Sequence, residues 1–242
     1  MKFDINRLKA VVFDYGNTII EFGPKQVSRL NDELYSVLVE MYGDCDFQRL
    51  TDVRKSQIIA PYANDSYIEN NRREICCELI KSLYDIEPSE NDISTILRVK
   101  QLSFLDAAVV SPSLFPLFEK LQSNYKLGFI SNFPCSSSIR ESLLQNGIIQ
   151  FFDSVVVSAE VGVVKPHPVI FEKSLEELNL SAEECVYIGD NWLADIQGAK
   201  RMGMKAIHTT QYVSYEGFEP YPGDYQPDAV ISDLIELEGL FL

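Results

Sequence analysis

The chain has 242 residues and a formal net charge of −15, from 36 acidic against 21 basic side chains. Hydrophobic residues make up 46% of it and charged residues 24%, the balance of a globular protein with a proper core. The acidity argues against non-specific binding to nucleic acid or an anionic membrane, and no apolar run approaches the roughly 20 residues that cross a bilayer.

The first segment, MKFDINRLKAVVF, mixes acid and base ahead of a short apolar run, which is not a signal-peptide pattern. Five cysteines, an odd number without CxxC spacing, predict reduced thiols in a cytoplasmic protein. Val11 to Phe13 reads as a buried strand that ends on Asp14, followed by a Gly-Asn turn. From about residue 24 to 107 the pattern changes. QVSRLNDELYSVLVEMYG, YIENNRREICCELIKSLYDI and ENDISTILRVKQLSFLD have helical spacing, and no strand-like run interrupts them. They predict an all-helical insertion after the first strand, entered near Phe22-Gly23-Pro24 and left between Asp106 and Pro112.

From residue 108 onward two periods alternate. KLGFI (126–130), SVVVS (154–158), CVYI (185–188), KAIH (205–208) and AVI (229–231) read as short buried strands. Amphipathic stretches separate them: SPSLFPLFEKLQ, SSIRESLLQNG, HPVIFEKSLEELN and WLADIQGAKRMG, with stop glycines at Gly147 and Gly203. Such alternation implies βαβ units and a doubly wound, Rossmann-like parallel sheet. The two prolines around Lys165 in VVKPHP predict an extended chain there.

Ligands of open α/β sheets bind outside the carboxyl ends of the strands. Here those ends carry Asp14, then Ser131-Asn132, then Asp190 after a glycine. Each has an ordinary reading by itself, as a turn residue or helix cap for the acids and Ser-Asn, and as a surface charge for Lys165. Their order along the chain is more telling. FDYGNT, FISN, the lysine of VVKPHPVIF and IGDNWLADI together resemble the haloacid dehalogenase superfamily of hydrolases, over the whole chain, and the insertion is similar to that family's helical C1-type cap.

The resemblance implies a core of residues 1–20 and 108–242 with a cap of residues 21–107. It implies phosphoryl transfer from a small phosphorylated metabolite to the nucleophile Asp14, with no nucleic acid or membrane partner and an oligomeric state the sequence does not give. Mg²⁺ would be held by Asp14, the Gly16 carbonyl and Asp190, assisted by Asp195; a hard cation of this kind prefers oxygen ligands. Lys165, Ser131 and Asn132 would bind the phosphoryl oxygens, and Thr18 would hold the loop. The chain departs from the family at Gly16, where phosphatases carry a second Asp that protonates the leaving oxygen. The nearest replacement by sequence is Glu21, whose plainer reading is a solvated loop acid. Two alternatives follow: a phospho-ligand binding or regulatory protein that has lost turnover, and a 2-haloacid dehalogenase. Arg54-Lys55 and Arg72-Arg73 stand as cap cations for a second anionic group, or as surface ion pairs. Trp192 either lines the pocket mouth or packs its helix, His208 is structural, and Cys135 is an exposed thiol after a turn.

Overall fold

The computed structural model describes residues 6–212 and 225–242. The readings for residues 1–5 and for the 213–224 part of the core lie outside the described residues. Six strands, β1 (Ala10–Phe13), β2 (Lys126–Ser131), β3 (Ser154–Val157), β4 (Cys185–Gly189), β5 (Lys205–Thr209) and β6 (Ala229–Ile231), form one parallel sheet in the order β3-β2-β1-β4-β5-β6. All six coincide with the apolar runs read from the sequence. They are short and apolar on both faces because helices cover both sides of a parallel sheet.

Alternation along β1 divides the core. Val11 and Phe13 face a layer built by Leu117 and Phe118 of α5 (Leu114–Gln122) and Ile139 and Leu143 of α6 (Ser136–Gln145). Ala10 and Val12 face Ile170 and Phe171 of α8 (Pro168–Leu178) and Ala199 of α9 (Gly198–Met202). A short helix, α7 (Ser158–Val161), follows β3, and α10 (Leu237–Phe241) closes the chain.

Between β1 and α5 stand four helices, α1 (Pro24–Tyr42), α2 (Phe47–Ile59), α3 (Arg72–Tyr84) and α4 (Glu90–Ala107). They share a cluster of their own around Leu34, Leu38, Leu50, Leu79, Ile80 and Ile96. Helix α2 is an addition to the three helices predicted. It buries only Leu50 and Gln57, so its apolar period is faint. Its start was nonetheless signalled, since the Asp46 carboxylate caps the Gln48 and Arg49 N–H groups. Helix α3 begins at Arg72, capped by Asn71, later than the helical spacing from Tyr67 suggested. Residues 67–70 instead lie against the loop before Lys165: Ile68 bridges Val163, Glu69 N–H donates to the Gly162 carbonyl and Val164 N–H to the Tyr67 carbonyl. That loop is not extended. Lys165-Pro166 is a cis peptide in a turn closed by His167 N–H to the Val164 carbonyl, and Pro168 opens α8.

Candidate active site

Central strand β1 has β2 on one side and β4 on the other, so the chain reverses direction across the sheet at its carboxyl end. This switch point is where an open α/β sheet has its crevice. Asp14 sits there as the first residue beyond β1, its N–H donating to the Ile188 carbonyl of β4. The turn that follows is braced by Asn17, in the left-handed region at φ 55°, whose Oδ1 accepts from Phe22 N–H. Thr18 holds the loop through its main chain and not its side chain: its N–H joins those of Ile19 and Ile20 on the Tyr15 carbonyl, while its buried hydroxyl has no hydrogen-bond partner among the described residues.

Lys165 is 2% exposed, which for a lysine demands partners. Its Nζ donates to Asp14 Oδ1 at 2.5 Å, to the Tyr187 hydroxyl at 2.8 Å and to the Ile130 carbonyl at 3.1 Å. It also lies 2.7 Å from Asp195 Oδ1, at an angle that makes the contact an ion pair and not a hydrogen bond. Asp195 is fixed from its other side, where Oδ2 accepts from Asn191 N–H at 2.9 Å. It packs directly on Gly189. A Cβ at that glycine would fall 2.3–2.6 Å from the Asp195 side chain, so the family-like IGD requires its glycine for a steric reason.

Asp14, Asp190 and Asp195 each place one carboxylate oxygen within 4.8 Å of the others, and all three are buried. Lys165 contacts Asp14 and Asp195, so two carboxylates share one ammonium with Asp190 close by, and a divalent cation would restore the balance. Burial pushes the Asp14 carboxyl up to about 6; Lys165 pulls it down, and the neighbouring Asp195 adds to the rise. Burial alone would lower the Lys165 ammonium, but Asp14, Asp195 and Tyr187 hold it well above its ordinary value. The buried set of oxygen donors suits a hard divalent cation.

Ser131 ends β2 and lines the same cavity as Asp14, Asn132, Lys165 and Asp190. Asn132 behaves differently from expectation. Its Oδ1 accepts from Lys165 N–H, and its Nδ2 donates to the Lys165 carbonyl and the Tyr62 hydroxyl. It is first a brace for the lysine loop. The Gly16 backbone borders the cavity, whereas Glu21 is exposed and outside its lining, so Glu21 is not placed to replace the absent acid. Trp192 packs edge-on against His208, and His208 Nε2 pairs with the Asp190 carbonyl at 2.9 Å, a structural role as anticipated. Cys135 is half-buried, not exposed, and accepts from Arg72 Nη1.

The comparison with known families takes in the part of the site from Ser131 to Asp195. Residues 45–209 match the model of the haloacid dehalogenase-like hydrolases. The chain belongs to that family. Among curated relatives, a glyceraldehyde 3-phosphate phosphatase of Methanopyrus kandleri is 36% identical over 127 residues, 52% of this chain and 54% of that protein. The chain thus spans about half the length of that relative, and 34% of its Pyrococcus abyssi counterpart. Among solved structures, a phosphatase of the family from Thermococcus onnurineus superposes with a TM-score of 0.65 and 25% identity, covering 96% of this chain and 97% of that one. A 2-haloacid dehalogenase from Pseudomonas syringae superposes with a TM-score of 0.72 at 22% identity, covering 96% and 97%. At that identity the second likeness speaks for the fold alone. Phosphatases and dehalogenases of this family share the fold, so the discrimination rests on the site.

The sequence did not point to Tyr187 or Tyr62. A tyrosine inside the buried run CVYI is a signal in itself, because its hydroxyl needs a partner there, and Lys165 is that partner.

Proposed function

We propose that this member of the family is a Mg²⁺-dependent phosphatase that hydrolyses a small phosphorylated metabolite through an aspartyl-phosphate on Asp14. The observation that carries this is the trio Asp14, Asp190 and Asp195, with oxygens within 4.8 Å, gathered around the buried Lys165. A dehalogenase has no need for such an acidic cluster. Residues 1–20 and 108–242 would be the core and residues 21–107 the cap, in keeping with the separate hydrophobic cluster of α1–α4.

Asp14, the Gly16 carbonyl and Asp190 would hold Mg²⁺, with Asp195 orienting from behind through Asn191 and Lys165. When bound, the cation would neutralise the phosphate dianion so that a carboxylate can approach it. Asp14 then attacks phosphorus; an O–P bond to the carboxylate forms as the ester O–P bond breaks, and the leaving oxygen takes a proton from solvent. Lys165 holds Asp14 and places positive charge beside the transferring phosphoryl group, Ser131 donates its hydroxyl to it, and Asn132 fixes the lysine loop. Water then cleaves the acyl-phosphate and regenerates Asp14.

With glycine at position 16 the leaving oxygen has no acid from that side. The reading therefore favours good leaving groups, such as acyl, anomeric and aryl phosphates. Gly16 also supports one rival, a phospho-ligand binding protein without turnover. The test is release of inorganic phosphate from aryl, acyl, sugar and triose phosphates, glyceraldehyde 3-phosphate included, with Mg²⁺ and with EDTA. Turnover that needs both the metal and Asp14, lost in Asp14→Asn, is the expected result. Metal-dependent binding with no release would establish the rival, and magnesium-independent halide release from 2-haloacids would establish a dehalogenase.

A further inference from the structure

In a chain of net charge −15, several surface cations near the helical layer pair with acids: Arg29 with Glu33 and Asp106, Arg73 with Glu90, and Lys81 with Glu87. Three others turn inward. Arg54 of α2, Arg72 at the start of α3 and Lys100 of α4 all line the cavity of about 360 Å³ whose floor holds Asp14 and Lys165. Their helices present them by register: Arg54, Gln57 and Ile58 on one face of α2, and Leu97, Lys100, Gln101 and Phe104 on one face of α4. Neither Arg72 nor Lys100 lies within ion-pair distance of a carboxylate among the described residues; Arg72 donates to the Cys135 thiol. Glu69, the lining acid outside the Asp14 cluster, is already engaged by Asn70 N–H and the Ser158 hydroxyl. Burial pushes the Lys100 amine down to about 7, and Arg54 and Arg72 add to the fall. Cations crowded between apolar side chains such as Ile75 and Leu97 cost free energy to hold charged, and an anion among them offsets that cost.

Resting on the phosphatase reading, we infer that Arg54, Arg72 and Lys100 form a second anion subsite, so that the substrate is a phosphate ester with another anionic group, a carboxylate or a second phosphate, at its far end. The phosphoryl group meets Asp14 and Lys165 on the floor, the carbon skeleton passes the apolar walls, and the distal anion meets the guanidiniums, which suit carboxylate and phosphate geometry.

Phenyl phosphates with para carboxymethyl, phosphonomethyl or hydroxymethyl groups test this, because they vary the distal charge on similar leaving groups. The full chain is assayed with Mg²⁺ as wild type, Arg72→Met, Lys100→Met and the surface control Arg73→Gln. Wild type and Arg73→Gln should prefer at least one anionic arm over the hydroxymethyl arm by about tenfold or more in kcat/KM, and the arm preferred identifies carboxylate or phosphate. Arg72→Met and Lys100→Met should each cut that ratio by about tenfold or more. A variant that merely folds poorly lowers all arms together, so a preserved ratio in both variants overturns the subsite. Equal rates on all three arms in wild type also overturn it while leaving the phosphatase intact. If no arm is turned over, the phosphatase reading falls. Calorimetry of the same esters with Mg²⁺ then decides the subsite: tighter binding of an anionic arm supports it, and equal affinities overturn it.

Discussion

Gly16→Asp is the substitution that most directly tests the chemistry proposed for this site. A Cβ at Gly16 would meet only Phe22 Cβ, at 3.7 Å, which is ordinary contact, and its φ is not among the positive ones. Nothing steric or conformational therefore demands glycine there. The new carboxyl would stand two residues from Asp14 in a half-buried position, where burial and the neighbouring acids keep it protonated, the state a general acid needs. A positioned acid contributes about 10²–10⁴-fold, equivalent to about 3–5 kcal/mol of transition-state stabilisation at 1.36 kcal/mol per tenfold. That gain should appear on alkyl phosphates, whose leaving oxygens need a proton, and hardly on aryl phosphates. Another acid in a cluster already rich in carboxylates should cost stability, on the order of 1–3 kcal/mol. Gly16→Ala adds the same Cβ without the acid, so it should leave leaving-group dependence unchanged and stabilise the fold by about 0.4–1 kcal/mol. The assay is kcat/KM against leaving-group pKa over an aryl-to-alkyl series with Mg²⁺. The plot should flatten in Gly16→Asp alone. Alkyl rates that stay level or fall in a folded, metal-binding Gly16→Asp protein would refute the reasoning.

Replacing Lys165 by Met removes the ammonium shared by Asp14 and Asp195. Urea unfolding without metal should show a loss of about 3–5 kcal/mol, with turnover abolished. Asp14→Asn, by contrast, relieves the excess of negative charge and should raise the melting temperature without metal, as calorimetry can check. Magnesium at ~100 Kd should stabilise the wild type by about 2.7 kcal/mol, and much less so Asp14→Asn if Asp14 is a ligand. Asp228 anchors the β5 end of the sheet by accepting from Lys200, Lys205 and Ala206 N–H. Burial would raise its carboxyl, but those donors hold it below the ordinary 3.8, so its contribution is present above that value and lost as pH falls through the lower folded one. Asp228→Asn should thus cost about 1–2 kcal/mol at pH 7, with the gap to wild type closing in urea titrations below about pH 4.

The sheet was legible because each strand is a continuous apolar run between polar ends, a signal that does not depend on what the chain does elsewhere. Helix α2 was not, since most of its side chains face solvent. The acids and the lysine were found through their order along the chain, and the structure brings Lys165 against Asp14 across 151 positions. What order cannot reveal is which atoms each polar group spends on its neighbours. Asn132 reads as a phosphoryl ligand until its amide is seen holding both polar atoms of the Lys165 main chain. Arg72 and Arg73 are adjacent in sequence, yet a helix turns one into the cavity and the other toward Glu90. Glu21, the first acid after Gly16 along the chain, is exposed and outside the cavity lining.

The same contacts tie the helical layer to the chemistry. Segment 67–70 is laced by main-chain bonds to residues 162–164, immediately before Lys165, and Tyr62 accepts from the Asn132 amide that fixes the lysine loop. On the other side Ile20 bridges Val110, and Phe104 of α4 packs at a tilt against Phe133, the residue after Asn132, and edge-on against Phe22, which lies beside Gly16. The layer therefore grips both the nucleophile loop and the lysine loop. A rigid opening about Phe22–Pro24 and residues 106–112 cannot leave the segment 67–70 ladder intact. Either that ladder breaks when substrate enters, or the segment stays with the core while the helices move. The first course breaks the main-chain bonds of Glu69 to Gly162 and of Val164 to Tyr67, and the second breaks the bonds of Asn70 Nδ2 to the Gln57 carbonyl and of Tyr67 N–H to the Asn64 carbonyl. Under the proposed reaction, either course that leaves Lys165 on Asp14 would present the phosphoryl group with a preorganised site.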